Sequence, residues 1–315
     1  MNEIRNVAVI GSGLMGHGIA QVCATAGCRV ALHDVNDELL TQAMARIDLN
    51  LRMLAEAGLQ QEEDITDIQS RIRTTTSLRD AVAGVDFVTE AIFENVKAKI
   101  ELFEELERVA PRHSILASNT SMLQISDIGK PLSDKSRALV THWFNPPHLI
   151  PAVEVVKGPD TSQETVERAA AFLSQIGKTP VRVLREVPGH LLNRLQFAIN
   201  REMLALIEAG VATPEEVDKG VSESFALRLA ASGPVKTIDI NGIDLFYYGM
   251  RDLYSFLDNS TAPQDILRRK AEKGEVGRRS GKGFFEYDVS GPLTSLELER
   301  DWKLMALLKA LRRKD

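Results

Sequence analysis

Six histidines, His17, His33, His113, His142, His148 and His190, are the side chains best suited to move a proton near neutral pH. His142 stands apart from the others. It ends the apolar run Ala138–His142, which reads as a buried strand, and Trp143-Phe144-Asn145-Pro146-Pro147 follows, where prolines fix an irregular turn. In an open α/β sheet, ligands sit beyond the carboxyl ends of the strands. Glu154 lies on the next predicted strand, within reach of the imidazole. A carboxylate on one ring nitrogen fixes the tautomer and raises the basicity of the other, which suits the pair to taking a proton from a hydroxyl. A purely structural hydrogen bond is the alternative reading. The other five histidines read as structural or surface groups: His17 in a helix, His33 in a strand, His113 in a loop, His148 and His190 in turns beside prolines.

A second constellation suits a diphosphate. Gly11-Ser12-Gly13-Leu14-Met15-Gly16 matches G-x-G-x-x-G, directly after a predicted strand and at the opening of a predicted helix. Gly11 permits the tight turn, Gly13 lets backbone approach the pyrophosphate, and Gly16 lets helix pack on strand. The helix then offers unpaired N–H groups and a positive dipole end. Asp34 closes the second strand, where a carboxylate accepts from ribose hydroxyls and repels a 2′-phosphate. No arginine follows in Val35-Asn36, so NAD is favoured over NADP. Taken alone, the glycines fit a structural turn and Asp34 an N-cap for the next helix.

These groups need a scaffold. Strands are predicted at Asn6–Ile10, Arg29–His33, Ile72–Thr75, Phe87–Glu90, Ser114–Ala117, Ala138–His142, Val153–Val156 and Val181–Leu184. Helices are predicted between them, at Leu14–Ala26, Asp37–Ala57 with Gly58 as C-cap, Val96–Val109 and Ser162–Ile176. Alternating strands and helices imply a parallel sheet covered on both faces. Beyond Pro188-Gly189, a plausible hinge, only helices are expected: Leu191–Glu208, Pro214–Ser222, Asp244–Leu257, Pro263–Lys273 and Leu296–Leu311. The expected architecture is therefore α/β, with a Rossmann-type, mostly parallel domain over 1–186 and an all-α domain over 187–315. The charged end Leu311–Asp315 reads as a frayed helix terminus.

Composition narrows the partners. A net charge of −6 over 315 residues argues against nucleic acid. No apolar run suits a signal peptide or a membrane span, so a cytoplasmic, non-membrane protein is expected. The two cysteines, Cys23 and Cys28, suggest neither a disulfide framework nor a metal site.

The chain resembles the L-3-hydroxyacyl-CoA dehydrogenase family from Val7 to about Tyr287. The resemblance rests on VAVIGSGLMGHGIA, EAIFENVKAK (Glu90–Lys99), ASNTSMLQI (Ala117–Ile125), HWFNPPHLIPAVEVV (His142–Val156), VPGHLLNRL (Val187–Leu195) and SGKGFFEY (Ser280–Tyr287), in the family's order. It implies that His142 is the general base, Glu154 its orienting partner, Ser121 a donor to the reacting oxygen and Asn193 a second polar group on the substrate. It implies that Glu94, Lys99, Asn145 and Lys282 line the nicotinamide half of the cofactor site, beside Gly11, Gly13, Leu14, Met15, Gly16 and Asp34. Read without the resemblance, Asn119-Thr120-Ser121 suits a helix cap and Asn193 an ordinary helix-surface amide. The implied activity is NAD-dependent oxidation of an (S)-3-hydroxyacyl-CoA in fatty acid metabolism, or the reverse.

Two segments depart from the CoA-using branch. Asp48–Gly58 carries only Arg52 and no lysine, where that branch has a basic patch for the CoA phosphates; Arg71 or Arg73 are the nearest substitutes. Leu227–Pro234 resembles instead the superfamily members that oxidise free hydroxy acids such as L-gulonate and carnitine, and Arg228 could grip a free carboxylate. A non-catalytic, crystallin-like NAD-binding protein and an NAD-sensing module are the rivals from other classes. Apolar positions Leu191, Leu195, Ala198, Leu204 and Ile207 suggest a homodimer, or else intramolecular core.

Overall fold

The computed structural model describes residues 3–289 and 295–312. Two compact units make up the chain: Met1–Asn193 with Leu304–Ala306, and Arg194–Lys303 with Leu307–Asp315.

The first unit is built on one sheet of eight strands: β1 (Asn6–Ile10), β2 (Arg29–His33), β3 (Ile72–Thr75), β4 (Phe87–Glu90), β5 (Ile115–Ser118), β6 (Ala138–Trp143), β7 (Ala152–Val156) and β8 (Thr179–Val183). Their spatial order is β3-β2-β1-β4-β5-β6-β7-β8. The first six follow the dinucleotide-binding order, with a switch point between β1 and β4. Side chains alternate across each strand. Val7 and Val9 accordingly join one apolar cluster, with Ile19, Leu40, Ile47 and Phe172, while Ala8 and Ile10 join the other, with Val88, Phe103 and Leu106.

The helices of this unit are α1 (Gly16–Thr25), α2 (Asp37–Glu56), α3 (Ile65–Ser70), α4 (Leu78–Val82), α5 (Val96–Val109), α6 (Ile125–Ile128) and α7 (Gln163–Gln175). Helix α1 begins later than expected, because Leu14 and Met15 still belong to the glycine turn. Helix α2 is capped by Asn36, whose side chain accepts from Leu39 N, with Asp37 and Glu38 in its first turn. Asp34 is therefore not the cap.

The sheet is mostly parallel, as expected, with a single reversed pair. Strand β7 extends the sheet but runs antiparallel to β6, while β8 is parallel to β7. The link 144–151 contains no helix and is shorter than the dozen or so residues that a parallel crossover needs. Strand β8 also begins earlier than expected and includes Pro180, a residue that an edge strand tolerates.

The second unit is helical, as expected. Helix α8 (Leu192–Glu208) begins at the end of the first unit and continues into it. Then come α9 (Pro214–Ser222), α10 (Phe225–Ser232), α11 (Pro234–Asn241), α12 (Ile243–Leu253), α13 (Asp265–Glu272) and α14 (Ser295–Arg312). The pair α10 and α11 was not expected; Gly233, at φ 74°, breaks what would otherwise be one helix. Residues 313–315 of the charged terminus lie outside the described residues. No described helix is long and apolar enough to cross a membrane.

Candidate active site

The antiparallel step brings the proposed base and its partner together. His142 and Glu154 are direct cross-strand partners, and His142 Nδ1 lies 2.7 Å from Glu154 Oε2. Both side chains are buried. The other carboxylate oxygen, Oε1, accepts from Leu191 N at 2.9 Å and Leu192 N at 2.8 Å. Burial alone would raise the Glu154 carboxyl, but the hydrogen bonds from His142 and these two amides outweigh it and hold the group below its ordinary value. The carboxylate is thus ionised, and it fixes Nδ1 as the donor. Nε2 is left as the ring nitrogen for a substrate. Phe144 covers the imidazole at 4.5 Å between ring centroids, and Asn119 Oδ1 pins the strand end by accepting from Trp143 N at 2.8 Å.

Ser121 sits in the turn after β5, and that turn is held by Glu94. Glu94 Oε1 accepts from Ser121 N and Met122 N, at 3.0 Å each, and from Thr120 Oγ1. Thr120 Oγ1 in turn accepts from Leu123 N. Ser121 caps no helix, since α6 starts at Ile125 without a side-chain cap. Among the described residues its hydroxyl makes no hydrogen bond, while its carbonyl accepts from Asn193 Nδ2 at 2.9 Å. Ser121 and Asn193 are therefore neighbours within the first unit, both partly exposed.

Lys99 is placed differently from the expectation of a cofactor-lining group. It is 1% exposed, with Nζ 2.5 Å from Glu90 Oε1 and 3.3 Å from Glu94 Oε2. Glu90 is fully buried and also accepts from Ser118 Oγ at 2.5 Å and Ile92 N at 2.8 Å. Glu94, which is more exposed, is the member of this network that approaches the surface. Asn145 is exposed in the turn after β6.

The glycine turn fits a dinucleotide. A Cβ on Gly16 would lie 1.7 Å from Gly11 O, and one on Gly11 would lie 2.7 Å from Ala91 O, so both positions are closed by the protein's own backbone. A Cβ on Gly13 would meet nothing within 4 Å, leaving that face open for a ligand. No side chain caps α1; His17 N is taken by Gly13 O at 3.4 Å, and the positive end of the helix suits a phosphate. Asp34 Oδ2 accepts from Ser12 N and Ser12 Oγ at 2.7 Å each, which aims the carboxylate along the turn. Burial opposes its charge, but these bonds and that from Val35 N prevail and keep Asp34 below its ordinary value.

In the second unit, Lys282 is exposed with Nζ 3.5 Å from Glu275, and Arg228 is exposed on α10. The sequence reading missed two contributors in the first unit. Glu90 anchors Lys99, and His190, taken as a structural turn residue, is buried with its ring centroid 5.4 Å from that of His142.

Comparison with known proteins accords with this geometry. Residues 6–187 match the model of the 3-hydroxyacyl-CoA dehydrogenase NAD-binding domain, and residues 189–287 that of the 3-hydroxyacyl-CoA dehydrogenase C-terminal domain. A probable 3-hydroxybutyryl-CoA dehydrogenase of Bacillus subtilis is 36% identical over 287 residues, covering 91% of this chain and 98% of that protein. The 5-formyl-3-hydroxy-2-methylpyridine 4-carboxylate 5-dehydrogenase of Mesorhizobium japonicum is 32% identical, with 98% of each chain covered. A crystal structure of an enzyme of that last activity, described as an NAD+-dependent dismutase, superposes with a TM-score of 0.92 at 32% identity, covering 99% of this chain and 100% of its own. With a nucleotide turn shaped for a dinucleotide and matches running through both units, the chain belongs to the 3-hydroxyacyl-CoA dehydrogenase family and is an NAD-dependent oxidoreductase.

Proposed function

We propose that the chain oxidises the 3-hydroxyl of an (S)-3-hydroxyacyl-CoA, with His142 as the base. The observation that carries this reading is the buried His142–Glu154 pair, 2.7 Å apart, beyond whose strand end lies the Ser121 turn. NAD, when bound, supplies the hydride acceptor. His142 Nε2 takes the hydroxyl proton, and the Glu154 carboxylate stabilises the imidazolium that results. Ser121 and Asn193 polarise the reacting oxygen through hydrogen bonds. Gly11, Gly13, Leu14, Met15, Gly16 and Asp34 hold the adenosine diphosphate half, and Glu94 with Lys99 shapes the edge next to Ser121. Lys282 and Asn145 are proposed as further cofactor contacts.

A free hydroxy acid is the second reading, and specific observations favour it. Arg52 is already committed to Asp48 at 2.7 Å, so it is a poor clamp for CoA phosphates. Arg71 and Arg73 flank the amino end of β3, where they bond Ala24 O, Asp67 and Asp80 O. The pyridine carboxylate enzyme matches nearly the whole chain. Arg228 would then bind the carboxylate. Comparing kcat/KM for 3-hydroxybutyryl-CoA with that for free 3-hydroxy acids, including L-gulonate and carnitine, decides between the two. A hundredfold or larger preference, ~2.7 kcal/mol in transition-state binding, for a free acid would overturn the acyl-CoA reading.

We also infer a homodimer. Among the described residues of the second unit, Leu204 is the only buried hydrophobic, while Leu227, Val235, Ile240, Ile243, Leu245 and Phe256 are each at least 59% exposed. Apolar area on that scale calls for a partner, and a second copy supplies it symmetrically. Light scattering that gives a monomer at micromolar concentration would refute this. The unpaired, buried Cys23 and Cys28 support a reducing, cytoplasmic setting.

A further inference from the structure

The Ser121 turn is gripped from a second side. Three consecutive carbonyls are each taken by the segment Gly189–Asn193. Met122 O accepts from Gly189 N at 3.4 Å, Thr120 O from His190 Nε2 at 3.0 Å, and Ser121 O from Asn193 Nδ2 at 2.9 Å. The same segment also reaches the base, because Leu191 N and Leu192 N hold the Glu154 carboxylate that orients His142. His190 lies at the centre of this arrangement. It is fully buried, and its φ of 55° makes it the one described non-glycine residue in the left-handed region. Such a backbone persists only where its surroundings over-determine it.

The hydrogen bond defines the protonation state of the ring. A carbonyl oxygen can only accept, so His190 Nε2 carries the hydrogen. Nδ1 is buried and has no partner among the described residues. A second proton there would create an unsatisfied charge beside His142, and burial opposes that charge. Glu154 and Glu94 are the anionic groups that act on this ring, and neither bonds to Nδ1.

We propose that His190 is a positioning residue. By donating Nε2–H to the Thr120 carbonyl while its ring lies against His142, it sets the separation between the base and the Ser121 hydroxyl. This rests on the reading of His142 as the base. A ring of similar size without a donor would fill the space yet release the Thr120 carbonyl. A glutamine would bring an amide N–H to roughly where Nε2 stands.

The test compares His190→Phe and His190→Gln with the wild-type enzyme, for kcat, for KM toward NAD and for thermal unfolding. His190→Phe should lower kcat by about tenfold to a hundredfold, the loss that a misplacement of an ångström gives, with KM for NAD changed by less than about twofold. His190→Gln should stay within about threefold of wild type, because the donor is restored. Nitrogen NMR of the wild-type ring should show hydrogen on Nε2 and none on Nδ1 at pH ~7. Wild-type kcat in His190→Phe, equal losses in both variants, or a protonated Nδ1 would each overturn the proposal. Should His190→Phe fail to fold, His190→Gln and the ring spectrum still decide. His142→Gln is measured in parallel. If it keeps near-wild-type turnover, the base has been misassigned, a failure distinct from a wrong tautomer at His190.

Discussion

Replacing Glu154 by glutamine keeps the shape of the side chain and removes one acceptor. In the native site both carboxylate oxygens only accept: Oε1 from Leu191 N and Leu192 N, Oε2 from His142 Nδ1. A glutamine has one acceptor oxygen and one NH2 group. If the oxygen faces the two amides, the NH2 faces Nδ1, which must become an acceptor. The ring hydrogen then moves to Nε2, and the lone pair meant for the substrate hydroxyl is lost. If the amide is flipped, two backbone N–H groups oppose an NH2. The corresponding carboxylate-to-amide change in a histidine triad costs ~10⁴ in kcat. We therefore expect Glu154→Gln to lose ~10³–10⁴ in kcat, or ~4–5.5 kcal/mol of transition-state stabilisation. The misfit should also cost ~1–3 kcal/mol of stability. NAD affinity should be unchanged, since the glycine turn and Asp34 form a separate structure. Stopped-flow NADH formation with cofactor titration measures both quantities. A folded Glu154→Gln enzyme whose kcat stays within about tenfold of wild type would refute the tautomer argument.

Other outcomes follow from the same geometry. Gly13→Ala should fold normally and bind NAD at least ~10-fold more weakly, because its Cβ enters the ligand's space, whereas Gly16→Ala should destabilise the fold outright, its Cβ being placed 1.7 Å from Gly11 O; circular dichroism and cofactor titration separate the two. Burial already pushes the Glu90 carboxyl above its ordinary value, so Lys99→Met leaves a buried carboxylate that must either stay charged without its cation or take up a proton; denaturant unfolding should show a loss of ~3–5 kcal/mol, partly recovered in Lys99→Met with Glu90→Gln, and an unchanged midpoint in the single variant would contradict the buried-pair reading. Burial holds His17, His33 and His190 below their ordinary value, so between their folded values and pH ~6.5 the unfolded chain binds more protons than the folded one. Stability should accordingly fall as pH drops below ~6.5, before the carboxylates Glu154 and Asp34, whose folded values are depressed, lose their own contribution nearer pH ~4; a melting temperature that is flat from pH 7 to 5 would count against this.

The parts of the site that depend on local pattern were legible in the sequence. The glycine turn, Asp34, the strand ends and the His142–Glu154 pairing all follow from short apolar runs and from what may stand at their ends. What escaped depends on partners remote in sequence. An apolar strand reads the same in either direction, so the reversal at β7 left no trace in its own residues. Lys99 lies on an amphipathic helix, where a lysine is ordinarily solvated, and only the fold reveals Glu90 beneath it. His190 bonds a backbone carbonyl 70 residues away, which no side-chain pattern announces. Helices α10 and α11 were hidden by the Gly233-Pro234 break, which reads as a loop although helix lies on both sides of it.

The antiparallel pairing of β6 with β7 has a further consequence for how this enzyme tolerates change. Sliding β7 by one residue would set Val153 or Val155 opposite His142 and turn Glu154 to the far side of the sheet; sliding it by two would offer Ala152 or Val156. No alternative alignment keeps the pair. The valines that flank Glu154, Val153 and Val155, are both sealed into the same apolar layer on one side of the sheet, and so packing that has no part in the reaction enforces the alignment on which the reaction depends. Turnover in this protein is then a sensitive gauge of strand alignment, and substitutions that loosen the valine packing should silence the enzyme while its helices and sheet still form.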